Sequence, residues 1–257
     1  MITTHSKFLY GFDVDAGTSY IDFDDGTTTY AVQIGSGSKT PDDLIADIET
    51  KMNEVGSVVS YDCSFNRATR LFTISGSGPF DLLVNSGTNA ASGIYSVLGI
   101  ATGSDFVGVT SVTGATAIGT VYNTQFKLQD YIPGDYNQMQ RFAEVNKAAS
   151  GKTTLVTFGT DEIFEMSFKW LTDIKQPSGG PIRTGTVASF AALMEHMTLK
   201  KAFELYPDEN DSTTYYKLVL DATAESGNGT GFKISPKYGA NLVGYYDTGV
   251  MKMRVVP

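Results

Sequence analysis

The chain has 257 residues, a formal net charge of −9 and a sequence pI near 4.7. This length accommodates two domains of ordinary size, each able to bury its own core. The acidic balance disfavours a nucleic-acid-binding groove, because such grooves need clustered Lys and Arg to displace counterions.

The composition predicts a mainly β protein with a minor α component. Hydrophobic residues make up 41% and charged residues only 18%, while 27 glycines and 12% aromatic residues suit strands joined by tight turns. Cys63, the single cysteine, cannot form an internal disulfide, so we expect a small buried side chain. Without a signal-peptide core or a long apolar run, the sequence predicts a soluble protein made in the cytoplasm.

The first half contains clear local signals. Residues 19–34 predict a β-hairpin, because alternating runs flank the Asp25-Gly26 dipeptide. Thr40 is a suitable N-cap and Asp43 completes a capping box, which predicts a helix over about residues 41–55. The remaining predicted elements are a hairpin over 58–74 that ends at 76–79, a strand over 80–84 and a brief helix or turn over 94–100.

A segment poor in charge predicts the domain boundary. Residues 103–120 are almost entirely Gly, Ser, Thr, Val and Ala, with one charge, Asp105. We therefore predict a domain over residues 1–115 and another over residues 116–257. Each is expected to be a β-sandwich or barrel with one short helix, the second helix lying at about 187–198.

The second half predicts a series of strands. Short turns at 150–151 and 159–161 indicate a meander. The predicted strands cover residues 141–145, 153–158, 163–171, 202–206, 215–222, 231–235 and 250–256.

Several short motifs fail to match the chemistry they suggest. The Gly151-Lys152 pair resembles a phosphate loop, but that loop requires glycine where Asn146 stands, so a hairpin turn is favoured. Residues 22–26 only partly match a calcium loop, and an acidic hairpin tip is favoured. His196 and its neighbour Glu195 would point in different directions on a helix.

Paired carboxylates are the remaining candidates for catalysis, and all of them fall at expected turns or caps. These pairs are Asp42/Asp43, Asp161/Glu162 and Asp208/Glu209. An enzyme that cleaves cell-wall polymers through Asp208 and Glu209 is the least favoured function. The sequence therefore predicts a protein that is not an enzyme, with no catalytic residue, no cofactor and no metal site.

A tyrosine-rich C-terminal region is the one candidate binding surface. Tyrosine buries a large area at small entropic cost, so tyrosine-rich loops can contact sugars or other subunits. The candidate surface or ligand contacts are Tyr238, Tyr245 and Tyr246. Strand tyrosines at the edge of a core are the competing interpretation.

Segments in both halves carry a family resemblance. In the first half they are residues 21–26, 40–48, 65–74, 97–100 and 105–108. These segments resemble a β-rich module that recurs in tail and baseplate proteins of tailed bacteriophages. In the second half they are residues 149–152, 158–159, 203–208 and 249–256. These segments are similar to the distal tail protein of long-tailed phages.

The resemblance implies a structural protein of the virion tail, made and assembled in the host cytoplasm. It implies a hexameric ring in the tail tip or baseplate that joins the tail tube to the hub and carries host-adsorption parts. Residues 116–257 would form the ring, and residues 1–115 would be a peripheral module. The implied partners are further copies of the chain, the tube and hub proteins, and DNA that passes through the channel without specific binding. No membrane insertion is implied. A tail tube subunit, or a receptor- or carbohydrate-binding module of the virion, remains an alternative.

Overall fold

The structure is a computed structural model, and it divides the chain into two compact units. It describes residues 6–123, 137–147, 153–166, 190–221, 235–236, 246–248 and 250–256. One unit, which we call the insert, is Tyr10–Thr120. The other, which we call the parent unit, joins Met1–Leu9 to Val121–Pro257. This division differs from the predicted boundary after residue 115, since the first nine residues belong with the C-terminal part.

The described residues form sixteen strands and two α-helices, which confirms the predicted mainly β fold with a minor α component. In chain order they are β1 (Lys7–Tyr10), β2 (Phe12–Val14), β3 (Tyr20–Asp24), β4 (Thr29–Gln33), β5 (Gly37–Lys39), α1 (Pro41–Val55), β6 (Tyr61–Asn66), β7 (Leu71–Leu82), β8 (Phe106–Thr113), β9 (Thr120–Asn123), β10 (Asn137–Lys147), β11 (Thr153–Met166), α2 (Phe190–Thr198), β12 (Phe203–Tyr206), β13 (Tyr216–Leu220), β14 (Ser235–Pro236), β15 (Tyr246–Asp247) and β16 (Met251–Val255).

The parent unit is organised around a seven-stranded sheet. The strand order is β10-β11-β16-β13-β12-β1-β9, and β14 pairs separately with β15. Strand β1 pairs antiparallel with β12, so that Lys7 lies opposite Tyr206. Strands β1 and β9 are neighbours in this sheet although the whole insert separates them in the sequence. In the sequence, the insert therefore lies between two strands that are neighbours in the parent sheet.

Alternation of side chains gives this sheet one apolar face. Residues opposite each other on paired strands share a face, so the register assigns the buried side chains to the same side. These are Phe8, Phe203, Leu205, Leu218, Leu220, Met251 and Met253. The Tyr122 ring lies 6.2 Å from the Phe8 ring and 5.5 Å from the Phe190 ring of α2. Helix α2 thus begins against the aromatic end of this core.

The insert contains a five-stranded sheet with α1 packed against it. The sheet has the order β4-β3-β7-β6, with β8 paired to β7, and β2 pairs with β5. The helix predicted over about 41–55 is confirmed as Pro41–Val55, and the Thr40–Asp43 capping box is present. Its buried residues Leu44, Ile48 and Met52 recur at helical spacing, which explains the face that it turns to the sheet.

Two predicted interruptions of strands are wrong. The pairing of β6 with β7 ends at Gly76, as predicted for this hairpin, but β7 itself continues through 76–79 to Leu82 and includes most of the strand predicted over 80–84. A Cβ at Gly76 would lie 2.8 Å from Val59 Cγ1, so glycine here permits a close approach rather than a turn. The predicted turn at 159–161 lies inside β11, where the register shifts near Phe158 and produces a bulge.

The predicted linker at residues 103–120 is also wrong over much of its length. Phe106–Thr113 forms β8, which pairs with β7 at Thr73–Ser75 and, after register shifts, at Phe80 and Leu82. Serine, threonine and valine suit both a linker and the edge strand of a sheet, so composition alone does not separate these states. Of the predicted second helix, Phe190–Thr198 is helical, and residues 187–189 lie outside the described residues.

Candidate assembly interface

A long hairpin extends beyond the body of the parent sheet. Strands β10 and β11 pair from Asn137↔Phe164 to Lys147↔Thr153. Of β11, only Ile163–Met166 also pairs with β16. The segment 153–162 therefore has β10 as its one partner strand among the described residues. At about 3.4 Å per residue, this two-stranded part is roughly 34 Å long.

The hairpin is suited to pairing with another chain. A strand without a partner on one side presents a row of backbone N–H and C=O groups that another strand can pair with. Both outer sides of the extended part have this property within the described part of the chain. The bulge near Phe158 adds twist to the hairpin and fixes its register. Sequence patterns did not reveal this feature, because 159–161 looked like a turn.

The formal charge is distributed unequally between the two units. The insert has 13 Asp or Glu and 4 Lys or Arg, which gives −9. The parent unit has 15 of each, which gives zero. The acidity of the chain is thus a property of the insert, and copies of the parent unit approach each other without net repulsion.

Asp25 acts as a hydrogen-bond acceptor inside the insert. This side chain is 3% exposed. Its carboxylate accepts hydrogen bonds from the backbone and hydroxyl groups of Thr27 and Ser57 and from the N–H groups of Thr28 and Val58. These donors, the Thr27 hydroxyl foremost, hold the pKa of the Asp25 carboxyl well below its usual range. The acidic tip of the β3–β4 hairpin is thereby attached to the segment that follows α1.

The Asp25→Asn variant should lower the melting temperature of the insert by about 5 °C at pH 7, since an amide offers one acceptor oxygen to these donors. Because folding lowers the pKa of Asp25, the carboxylate stabilises the fold above its ordinary pKa and loses this effect as the pH falls below it. Thermal unfolding at pH 7 and about pH 3 should show the difference between wild type and variant shrinking with acid. Asp24→Asn is the matched control, because the hydrogen bonds that Asp24 accepts among the described residues come from the same hairpin, from Gly26 and Thr29. Equal losses in the two variants would contradict the role of Asp25.

Cys63 is buried, as the sequence predicts. Burial, reinforced by the charges of Glu49 and Asp62, raises the pKa of its thiol to about 12. We expect the native chain not to react with a thiol reagent near pH 8 and to react fully in denaturant. The single thiol then reports on unfolding of the insert. Rapid labelling of the native chain would contradict the burial of Cys63.

The carboxylate pairs and the histidine singled out in the sequence occupy separate positions. Asp43 caps α1, and Asp42 pairs with Arg67 at 2.8 Å. Asp208 accepts a hydrogen bond from the Asn210 N–H within a turn. The ring of His196 is buried, and its Nε2 lies 2.9 Å from the Ala202 carbonyl oxygen.

The pair Asp161/Glu162 lies within β11 rather than at a turn. Among the residues that the structure describes, no group of three or more His, Cys, Asp or Glu side chains is placed to hold a metal ion.

The tyrosines proposed as binding residues fall largely outside the described part of the chain. Tyr238 and Tyr245 lie outside it. Tyr246 begins β15, where Pro236 is its backbone partner. These three residues remain predictions from the sequence.

No protein-family model matches the chain, and a search of curated proteins found no match. Within the described segments, neither helix has the length and apolar character needed to cross a membrane.

Proposed function

We propose that the chain is a structural component of a bacteriophage tail tip or baseplate, where copies assemble into a ring between the tail tube and the hub. The phage resemblance of the sequence motivates this function. The observation that supports assembly is the extended β10–β11 hairpin, whose outer sides have no partner strand among the described residues.

The parent sheet offers two unlike edges for such a ring. Its strand order begins with β10 and ends with β9 in the described part of the chain. Contacts between unlike surfaces of identical subunits generate rings when the rotation between copies closes. A hairpin that reaches over a neighbouring copy fits this head-to-tail arrangement. The zero formal charge of the parent unit favours close contact between copies.

In this proposal the insert is the peripheral module. It carries the whole net charge of −9, and copies of so acidic a unit repel each other at short distance. A position away from the contacts between neighbouring copies keeps these charges apart. The insert is then available for other parts of the virion or for the host surface.

Mass photometry and negative-stain electron microscopy of the purified chain test this function. We expect rings of uniform size at micromolar concentration, and six copies of the 27.7 kDa chain would give about 170 kDa. Open-ended tubes would instead favour the tail tube subunit. A chain that stays monomeric at high concentration, and that does not join assembled tails, would contradict both assignments.

A further inference from the structure

Strand β8 forms an open edge of the insert. It pairs with β7 on one side, and no other strand in the described part of the chain lies on its opposite side. Val107 is 70% exposed, although it is a large apolar residue within the strand. This edge is separate from the hairpin of the parent unit, and the inference drawn from it does not depend on ring formation.

The register shows which backbone groups of β8 face outward. The Gly114 N–H donates to the Phe72 carbonyl at 2.8 Å, and the pairing continues as Thr73↔Thr113, Ile74↔Val112 and Ser75↔Ser111. Hydrogen-bonded and non-hydrogen-bonded pairs alternate along an antiparallel ladder. Val112 therefore directs its backbone groups towards β7, as Gly114 does. Ser111 and Thr113 direct theirs away from the sheet, at the spacing that an added strand requires.

The neighbouring edge strand β6 is protected. The Glu49 carboxylate of α1 accepts a hydrogen bond from the Cys63 N–H at 2.9 Å. The Asn53 side chain both donates to and accepts from the backbone of Tyr61, at 2.8 Å in each case. Helix side chains thus occupy the outward backbone groups of β6, which prevents another strand from pairing there.

The second half of strand β8 lacks the usual protection of an edge. Natural edge strands avoid unwanted pairing through charged residues, proline, β-bulges or a covering element. The sequence of β8 is Phe-Val-Gly-Val-Thr-Ser-Val-Thr, which contains neither charge nor proline. Its first half is irregular: the register with β7 shifts between Ser75 and Phe80 and again between Phe80 and Leu82, and Gly108 has φ +63. The regular part of the pairing is Ser111–Thr113. The half that follows Gly108 is rich in β-branched residues, which suit pairing with another strand.

The surrounding charge indicates which strand would bind. Asp81 and Asp105 lie at the first end of β8: the Asp81 carboxylate accepts a hydrogen bond from Gly108 N–H, and Asp105 immediately precedes the strand. The insert as a whole carries −9, so a second copy of the insert would be repelled. A strand with an uncharged middle and a basic residue at the end beside Asp81 and Asp105 matches both the neutral edge and its one acidic end.

We propose that the β8 edge of the insert binds an extended segment of another protein by strand addition, and that this segment carries Lys or Arg beside an uncharged, β-branched core. Main-chain hydrogen bonds to Ser111 and Thr113 supply the affinity, as in other cases of strand addition. The acidic end of the strand, at Asp81 and Asp105, supplies the preference for a basic segment.

The test is a titration of the full chain with two labelled peptides, followed by fluorescence anisotropy. The probe is Lys-Thr-Val-Thr-Val-Thr-Val-Lys, and its counterpart has Glu at both ends. The basic peptide should bind about tenfold more tightly than the acidic one. Its binding should weaken as the salt concentration rises from about 0.05 to 0.3 M. Binding should slow amide hydrogen exchange at Ser111 and Thr113 but not at Val112, whose N–H is already paired.

Ser111→Pro removes one outward N–H without removing a bond to β7, since proline is tolerated on the free side of an edge strand. This variant should lower the affinity for the basic peptide about fivefold. Ser111→Ala, which keeps the N–H, should leave that affinity unchanged. If Ser111→Pro unfolds the insert, which labelling of Cys63 would show, Thr113→Pro is tested in its place, because the Thr113 N–H also faces outward. Binding of neither peptide, or unchanged exchange at Ser111 and Thr113 on binding, would overturn the proposal. The proposal would also be overturned if the chain associates with itself and Ser111→Pro abolishes this association, because the bound strand would then come from a second copy.

Discussion

A chain in which an Asn-Gly dipeptide replaces residues 143–158 should remain folded but should no longer form rings. Phe142 and Gly159 are opposite each other in the hairpin, so a two-residue turn can connect them. The remaining strand still includes Ile163–Met166, which pairs with β16, so the body of the sheet keeps its contacts. What is lost is the outer part of the extended hairpin, residues 143–158, with its open sides; residues 139–142 stay paired with 159–162.

Mass photometry of the shortened chain and the full chain at equal micromolar concentration measures this effect. We expect a complete shift from rings to monomers, because removal of a strand-pairing surface eliminates a whole contact between copies. Circular dichroism and protection of Cys63 from thiol reagents serve as controls for folding. Rings of unchanged size from the shortened chain would show that the hairpin is not the interface.

Excision of the insert should have the opposite outcome, with assembly retained. The two ends of the insert lie side by side: a Cβ built at Gly11 would lie 3.2 Å from Thr120 Oγ1. An Asn-Gly turn can therefore join Tyr10 to Thr120 in place of residues 11–119. Strands β1 and β9 are already neighbours in the parent sheet, so their pairing does not require the excised residues.

The excised chain should form rings of the same copy number as the full chain. Its formal charge should change from −9 to zero, because every charged residue of the insert is removed. Weaker retention on an anion-exchange column checks the charge, and mass photometry checks the assembly. A chain that unfolds, or that folds and stays monomeric, would show that the insert is needed by the ring-forming body. The hairpin variant and the excision variant therefore separate the two units by function.

Local signals in the sequence predicted the elements that are determined locally. Helix α1 was predictable because its N-cap, proline and apolar spacing all lie within one segment. The β3–β4 hairpin was predictable from Asp25-Gly26 between alternating runs. In both cases neighbouring residues decide the backbone conformation.

The topology was not predictable, because distant residues decide it. Lys7 lies opposite Tyr206, and no local pattern in a four-residue strand indicates a partner so far along the chain. Strand β8 and the continuity of β11 were missed for a related reason. Gly, Ser and Thr favour turns when a segment is alone, and pairing with β7 or β10 overrides that preference. The open hairpin, which supports the proposed function, thus became visible only in three dimensions.

The position of β1 has a consequence for the order of folding during synthesis. This strand leaves the ribosome first, yet its partners β12 and β9 are translated much later. The insert, whose own contacts lie within Tyr10–Thr120, is complete before β12 exists. At synthesis rates of about 5–20 residues per second, β1 waits on the order of ten seconds for β12. A nascent chain long enough for Thr120 to have left the ribosome, but stalled before Phe203, should therefore carry a folded insert and an N-terminal strand that lacks β12.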